Sequence, residues 1–454
     1  MEAMQNRSQP DVVPVELIQR IQSLLPVQEA ARTCVLSKTW SHAWSTIPHL
    51  GFYKISEFFS DKKERDYIQF MDRTMSKYVQ NNIPIESLKL KLDNKLASHL
   101  ANKWIPTVAS KSSFKEHSIR ICYGSDSNII LPDEIFSGKN LHTLSVIANR
   151  SSPIETVSRN PVINCLNLRV LKLERVKISE EAVNTLFSTC ILLEKIDLSI
   201  RSDMKTVLVK NLRYLQELKL MTARPFDVLN IDDVPDLRLF SYHVGLSEFH
   251  PMKTFNMASL TSVTKLSLDG VTIDVEFFDM IKSKLLSLEI LDLVIRDWIS
   301  ERWDFTNSSL KRLTLTLRVS KKIDIIQFNA PKLHHLSYDG KTMPSLMFLS
   351  SNVPEYIKLE LHLFHTVDRS FFLTMRELLS LSSKFDIEIS NMSYEPLNID
   401  REIRFAVPST NVEQLSYYSH SHKSYLHWHL SFFDALITLC HPKYVTIYIL
   451  NEYF

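Results

Sequence analysis

The chain has little glycine: six among 454 residues, roughly 1% against a usual ~7%. The two nearest, Gly124 and Gly138, stand fourteen positions apart. No GxGxxG turn, GxxxxGK phosphate loop or GxSxG elbow can therefore form, which removes three large enzyme classes together. Cysteine is also scarce. The five, at positions 34, 122, 165, 190 and 440, include no CxxC pair and leave one thiol over in any pairing, which points to a reducing compartment. The N-terminus lacks an apolar signal core, and no apolar run approaches the ~18 residues of a membrane span. These absences predict a soluble intracellular protein, in nucleus or cytoplasm, in which the sequons at Asn6, Asn149, Asn307 and Asn391 are chance matches. Charge of one sign is missing too: 53 Lys and Arg against 51 Asp and Glu give +2. No global field draws nucleic acid or an anionic membrane, and neither is expected as a partner. Without HExxH or Cys-rich spacings, no metal, cofactor or catalytic residue is predicted.

What is present is repetition. From about residue 85 the pattern apolar, two variable, apolar, one variable, apolar recurs. Its copies include Leu141-Leu144-Val146, Leu168-Leu171-Leu173, Leu193-Ile196-Leu198, Leu215-Leu218-Leu220 and Leu237-Phe240-Tyr242. It continues as Val263-Leu266-Leu268, Leu288-Leu291-Leu293, Leu310-Leu313-Leu315, Leu333-Leu336-Tyr338 and Tyr356-Leu359-Leu361. The mean step is about 24 residues, inside the ~20 to 29 of leucine-rich repeats. Alternate residues of a strand share a face, so each LxL pair enters the core while its neighbours meet solvent. One repeat cannot cover its own apolar face, and stacking the next does. Weaker copies, Ile85-Leu88-Leu90 and Ile119-Ile121 before the series and Ile387-Ile389, Leu415-Tyr417 and Val445-Ile447 after it, bring the expected count to about fifteen strands. The usual Asn or Cys after the last leucine is absent. Val176 and Val271 stand there instead and must hold the turn by packing, which predicts an irregular horseshoe.

Between these repeats and the N-terminus, Tyr67, Phe70, Met71, Thr74, Met75, Tyr78 and Val79 recur at three and four, marking an amphipathic helix over 60–82, with Asp61 as N-cap and closed by Asn81-Asn82 and Pro84. It is expected to pack over the first strands. Residues 11–50 contain three short helices. Leu17, Ile21 and Leu24-Leu25 form one stripe ended by Pro26, Gln28–Cys34 is a second helix, and Ser37 caps a third carrying Trp40 and Trp44. So small a unit leaves apolar surface wet, and that surface asks for a partner.

These residues resemble an F-box of the plant F-box/leucine-rich-repeat family. Val13-Pro14-Val15-Glu16-Leu17-Ile18 matches its LPxELL opening, Leu24-Leu25-Pro26 its FLP, and Arg32 to Trp40 its RTSVLSKRW, with Val15 in place of Asp and Thr39 in place of Arg. Tyr67 to Arg73 is similar to the family's helix after the F-box. Cys190-Ile191-Leu192-Leu193-Glu194 resembles its CPxLE, with Ile191 for Pro, and Ala330-Pro331-Lys332-Leu333 resembles its APxL. The resemblance implies α/β architecture: a 1–10 tail, an F-box at 11–50, a linker with the amphipathic helix at 51–84, leucine-rich repeats at 85–380, and degenerate repeats or a cap at 381–454. It further implies a non-catalytic subunit of an SCF-type ubiquitin ligase. Val13, Pro14, Leu17, Ile21, Leu25, Pro26, Val35 and Leu36 would bind a Skp-type adaptor, and through it cullin, while the repeats hold a target protein. The alternative is a repeat scaffold acting outside a ligase.

On the predicted open face of the sheet the middle column reads Lys172, Asp197, Lys219, Ser241, Ser267, Asp292, Thr314, Ser337 and Glu360. Its charged members, Lys172, Asp197, Lys219, Asp292 and Glu360, are the candidate target contacts. With mixed charge and no cationic ring, the column does not suit a polyphosphate cofactor. Near the end, His420, His422, His427 and His429 alternate with aromatics. Two apart on a strand they share a face, which suits an aromatic-histidine surface or ordinary capping better than a metal site, since no Cys joins them.

Overall fold

The computed structural model describes residues 13–52, 61–92, 103–108, 117–123, 130–131, 133–148, 154–156, 161–200, 204–245, 252, 254–257, 259–271, 273–296, 302–318, 325–350, 352–363, 369–391, 412–419 and 426–449. The chain forms two compact units, residues 1–215 with 220–223 and residues 216–219 with 224–454. Both follow the leucine-rich-repeat plan, α/β with parallel strands.

The first unit opens with helices α1 (Val15–Leu24), α2 (Val27–Arg32) and α3 (Lys38–Ser45). Pro14 and Pro26 stand immediately before α1 and α2, where the missing N–H costs nothing. Ser37 Oγ caps α3 by accepting the Trp40 N–H at 3.2 Å. Helix α4 (Asp61–Gln80) begins on Asp61 itself. It ends where Asn82 turns left-handed at φ 48° and the Ile83 N–H reaches the Tyr78 carbonyl at 3.0 Å. Its buried face is Tyr67, Met71, Met75 and Tyr78. This face meets α3: Phe70 stacks on Trp44 at 6.4 Å, and the Tyr78 hydroxyl donates to the Ile47 carbonyl at 3.0 Å. The helix thus clamps the end of α3 as the chain enters the sheet.

The sheet of this unit runs in parallel through His49–Phe52, Ser87–Leu92, His117–Tyr123, Leu141–Ile147, Val170–Lys177 and Lys195–Ile200. Register follows the repeat pattern: Leu88 pairs with Ile119, Ile119 with Leu144, Leu144 with Leu171 and Leu171 with Ile196. The first strand, His49–Phe52, was not expected from the repeats. Its signal is present, however, because Ile47-Leu50-Phe52 is one more copy of the pattern and all three are buried. The F-box-like helices therefore run directly into the first repeat.

The second unit carries a parallel sheet of Leu239–Val244, Lys265–Asp269, Ile290–Ile295, Arg312–Leu317, His335–Gly340, Tyr356–Leu363, Lys384–Asn391, Val412–Ser419 and Tyr444–Ile449. Helices Val275–Ser283, Arg369–Leu379 and Leu426–Cys440 make some of the return connections, and short strands make others. Strands Arg302–Thr306, Ile325–Asn329 and Leu346–Phe348 align Phe305, Phe328 and Phe348 in register, with stacked rings 5.7 and 5.0 Å apart. Stacked rings fill the returns with apolar area here.

The turns at Arg175-Val176 and Gly270-Val271 lack the usual amide side chain, and their solution is conformational. Arg175 (φ 60°) and Gly270 (φ 83°) are left-handed, and the next residues, Val176 and Val271, are buried as expected. Asn211 and Asp233 repeat the device before buried Leu212 and Val234. At Gly270 a Cβ would also meet Val244 Cγ2 at 2.4 Å, so glycine is required there. Asn307 is buried and fully bonded. Its Nδ2 donates to the Ile281 and Leu285 carbonyls at 3.0 and 2.9 Å, and its Oδ1 accepts the Ser309 and Leu310 N–H groups.

Two details of the repeat reading need correction. Register pairs Leu336 with Ile357 and Tyr338 with Leu359, so the copy there is Pro354-Ile357-Leu359, two residues earlier than Tyr356-Leu359-Leu361. Tyr356 consequently lies on the open face, where its hydroxyl donates to Asp386 Oδ2 at 2.5 Å. The second correction concerns His427 and His429, which belong to the helix Leu426–Cys440 rather than a strand. His420 and His422 lie outside the described residues.

Candidate functional site

Two surfaces carry the candidate residues. The first is the outside of the three-helix module. Helix α1 buries Ile18 and Gln22, while Leu17 is 50% and Leu24 81% exposed. Gln22, 1% exposed, replaces a core hydrophobe with bonds: its Nε2 donates to Thr33 Oγ1 at 2.8 Å and to the Trp40 carbonyl at 3.1 Å, tying α1 to the segments after α2. Gln19 Nε2 likewise donates to Thr46 Oγ1 at 2.9 Å. The apolar stripe of α1 is thus turned outward and the packed face is partly polar, the reverse of a helix made only to fill its own domain.

Val35 at 88% and Leu36 at 64% exposure continue the apolar surface from the 3-10 turn Thr33–Val35. Val13, Pro14 and Ile21 are also exposed, whereas Leu25 and Pro26 are half-buried. Leu24 was not among the expected contacts. Its helical phase, three and seven residues after Ile21 and Leu17, would have found it. Trp44 is half-buried and stacks on Phe70 of α4.

The second surface is the open face of the sheets. On the first unit Lys172 Nζ lies 2.7 Å from Asp197 Oδ2 and 3.8 Å from Glu174. These two candidate contacts therefore bind one another. On the second unit Lys219 lies 3.8 Å from Glu217. Asp269 receives a two-pronged bond from Arg296, at 2.7 and 2.9 Å, whose guanidinium also donates to the Val244 carbonyl at 3.0 Å. Lys358 bridges Glu360 and Glu388 at 3.5 Å each. Glu360, through the shifted repeat, stands in the row of Asp339 rather than in the middle column, which Lys358 occupies. Asp292 pairs in register with Ser267 and Thr314, at the centre of a row of small hydroxyl side chains.

Among the described residues Asp339, Glu360 and His362 bring three donor atoms within 4.8 Å. His362 Nε2 lies 3.0 Å from Asp339 Oδ1 and 3.5 Å from Glu360, and Arg318 lies 3.4 Å from the other Asp339 oxygen. The hydrogen bond to Asp339 holds the His362 pKa above its usual value despite burial. When protonated, the imidazole sits as a cation between two carboxylates, with a guanidinium beside it, and the four groups form an ion network. Cys34, Cys165, Cys190 and Cys440 are free thiols, and burial pushes those of Cys165 and Cys190 up to about 12. Neither is a nucleophile at neutral pH. Among the described residues no helix is long and apolar enough to cross a membrane.

The described residues thus comprise a three-helix module with an outward apolar stripe that runs into leucine-rich repeats. Residues 102–248 match the family model for the leucine-rich repeats of FBD-associated F-box protein At5g56370. Among the proteins to which the chain is similar are three from Arabidopsis thaliana. The FBD-associated F-box protein At5g56410 is 28% identical over 196 residues, 39% of this chain and 38% of that one. The FBD-associated F-box protein At5g50270 is 28% identical over 291 residues, 56% and 66%. The F-box/LRR-repeat protein At3g49150 is 26% identical over 272 residues, 57% and 42%. The chain thus spans between 38 and 66% of the lengths of these relatives.

Proposed function

We propose that the chain is the target-holding subunit of an SCF-type cullin-RING ubiquitin ligase. The observation that carries this reading is the inverted α1: Leu17, Ile21 and Leu24 face outward beside Val35 and Leu36, while a glutamine is buried. Exposed apolar side chains grouped on a bonded scaffold suit a permanent partner. A Skp-type adaptor, implied by the F-box resemblance, is that partner, and cullin follows through it. The repeats hold the protein to be modified. No step of the chemistry belongs to this chain. It acts by proximity, raising the effective concentration of target lysines near a charged conjugating enzyme.

The test is co-expression of the full chain with a Skp-type adaptor and cullin, followed by capture through a tag on the chain. Recovery of both supports the reading. Adaptor without cullin makes the chain a scaffold outside a ligase, and recovery of neither refutes the assignment. Leu17→Asp serves as the control, and is preferable to deleting residues 1–50, because His49–Phe52 is the first strand of the sheet.

A further inference from the structure

On the open face of the second unit, most carboxylates are already occupied. Asp269 is bonded to Arg296, Asp339 to His362 and Arg318, Glu360 and Glu388 to Lys358, and Asp386 to the Tyr356 hydroxyl. Asp292 is the exception: among the described residues its side chain has no hydrogen bond and no ion pair. The same holds for two cations one row away. Lys265, Ile290 and Arg312 are aligned across three strands, and Asp292 follows Ile290 by two residues on the middle strand. At ~4.8 Å between strands and ~3.3 Å per residue, the two cations are about 10 Å apart at Cα, with the carboxylate about 7 Å further along the strand axis. The side chains beside Asp292 in its row are Ser241, Ser267, Thr314 and Ser337, too short to cover it.

Two histidines flank this group, and neither neutralises it. His243 lies 3.3 Å from Ser267 Oγ, and His335 stacks on Tyr356 at 4.8 Å. Burial lowers the pKa of both, with Arg312 adding to the effect at His335, which disfavours a positive imidazole beside Asp292. A charge already paired in the free protein yields little to a newcomer, since the old pair must break first. Unpaired charges flanked by small side chains, Lys265 and Asp292 half-buried and Arg312 exposed, are those able to reward an opposite charge.

We propose that Lys265, Arg312 and Asp292 form the docking point for an extended segment of the held protein, one that presents an acidic side chain to the two cations and a basic side chain, two positions along, to Asp292. Two residues of extended chain span about 7 Å, the same as the separation of the two rows. This inference rests on the repeats being the target-holding surface.

The test uses fluorescein-labelled twelve-residue peptides, unstructured and identical except at their centre: Glu-Ala-Lys, Lys-Ala-Glu, Glu-Ala-Gln and Gln-Ala-Gln. Anisotropy titrations are made against the full chain. One of the two bipolar orders is expected to bind about tenfold tighter than the neutral peptide. Asp292→Asn is expected to erase the preference for Lys over Gln while keeping that for Glu, and the double variant Lys265→Gln, Arg312→Gln to do the converse. Asp292→Lys is expected to restore binding to a Glu-Ala-Glu peptide. Equal affinity for all peptides, no binding to any, or a Lys preference surviving Asp292→Asn overturns the proposal. Adaptor capture is measured on the same preparations. If the adaptor binds and peptide discrimination fails, the docking point alone is wrong. If the adaptor does not bind, the receptor reading fails whatever the peptides do.

Discussion

Leu24→Asp separates a surface made for a partner from one that belongs to the fold. Burying a leucine fully contributes about 1.5–3 kcal/mol. With 81% of the side chain exposed in the free chain, about 1–2.5 kcal/mol of this is left for the adaptor to realise. A carboxylate in that place loses the contribution and adds a desolvation cost of at least ~2 kcal/mol. Together they amount to about 3–4 kcal/mol, a weakening of roughly a hundred- to a thousandfold. The fold should hardly notice, since exposed substitutions usually lie within ~0.5 kcal/mol of the parent. Calorimetric titration with a purified Skp-type adaptor gives the first quantity, and thermal unfolding followed by circular dichroism gives the second. Ile18→Ala, on the packed side of the same helix, should behave oppositely, destabilising by about 2–5 kcal/mol. Unchanged adaptor affinity in a folded Leu24→Asp, or unfolding by that variant, would refute the reasoning.

Three further outcomes follow from the geometry. Gln22→Ala removes two interhelical bonds and should destabilise the first unit by about 2 kcal/mol, read as a lower urea midpoint; no change would mean that the helices are held by packing alone. Arg296→Met leaves Asp269, whose side chain is 10% exposed, buried without its partner, and should cost the second unit about 3 kcal/mol in a denaturant titration; a neutral result would contradict a structural role for this pair. For His362 the folded pKa is raised above the ordinary ~6.5. Its stabilisation is therefore complete below pH ~6.5 and disappears as pH rises through the folded value. His243 and His335, with lowered values, act in the opposite sense, losing stabilisation as pH falls. The measurement is consequently the difference in melting temperature between parent and His362→Gln across pH 5.5–9, and a difference that does not shrink with rising pH would refute the network.

The core of this fold was legible because it obeys a two-residue alternation. Leu171, Leu173, Ile196 and Leu198 are buried where the pattern placed them, since a leucine between apolar strands has one favourable destination. Errors arose where two patterns overlap. Ile47-Leu50-Phe52 carries the repeat signal but follows a helical stretch, and a short copy beside a different periodicity is easily absorbed into it. Tyr356 is apolar enough to pass for a repeat residue, yet its hydroxyl satisfies Asp386 on the open face, and Pro354 takes the inner position. The pairing of Lys172 with Asp197 depends on strand register 25 residues apart, information that a list of column residues does not contain. On the front module, the apolar stripe, Pro26 and the Ser37 cap located the helices, but only the phase of α1 distinguishes Leu24, turned outward, from half-buried Leu25.

The strand His49–Phe52 also fixes direction. The Pro48 carbonyl, next to it, accepts the Glu86 and Ser87 N–H groups at 2.7 and 3.2 Å, and α4 bolts the preceding corner through Tyr78. Whatever grips the front helices is thereby aimed along the opening strands as a barrel is aimed by its mount, with no swivel between. A few flexible residues spliced in after Ile47 would leave the grip intact and spoil the aim; under the proposed ligase role, such a variant should still load its cargo yet tag it slowly and at scattered lysines.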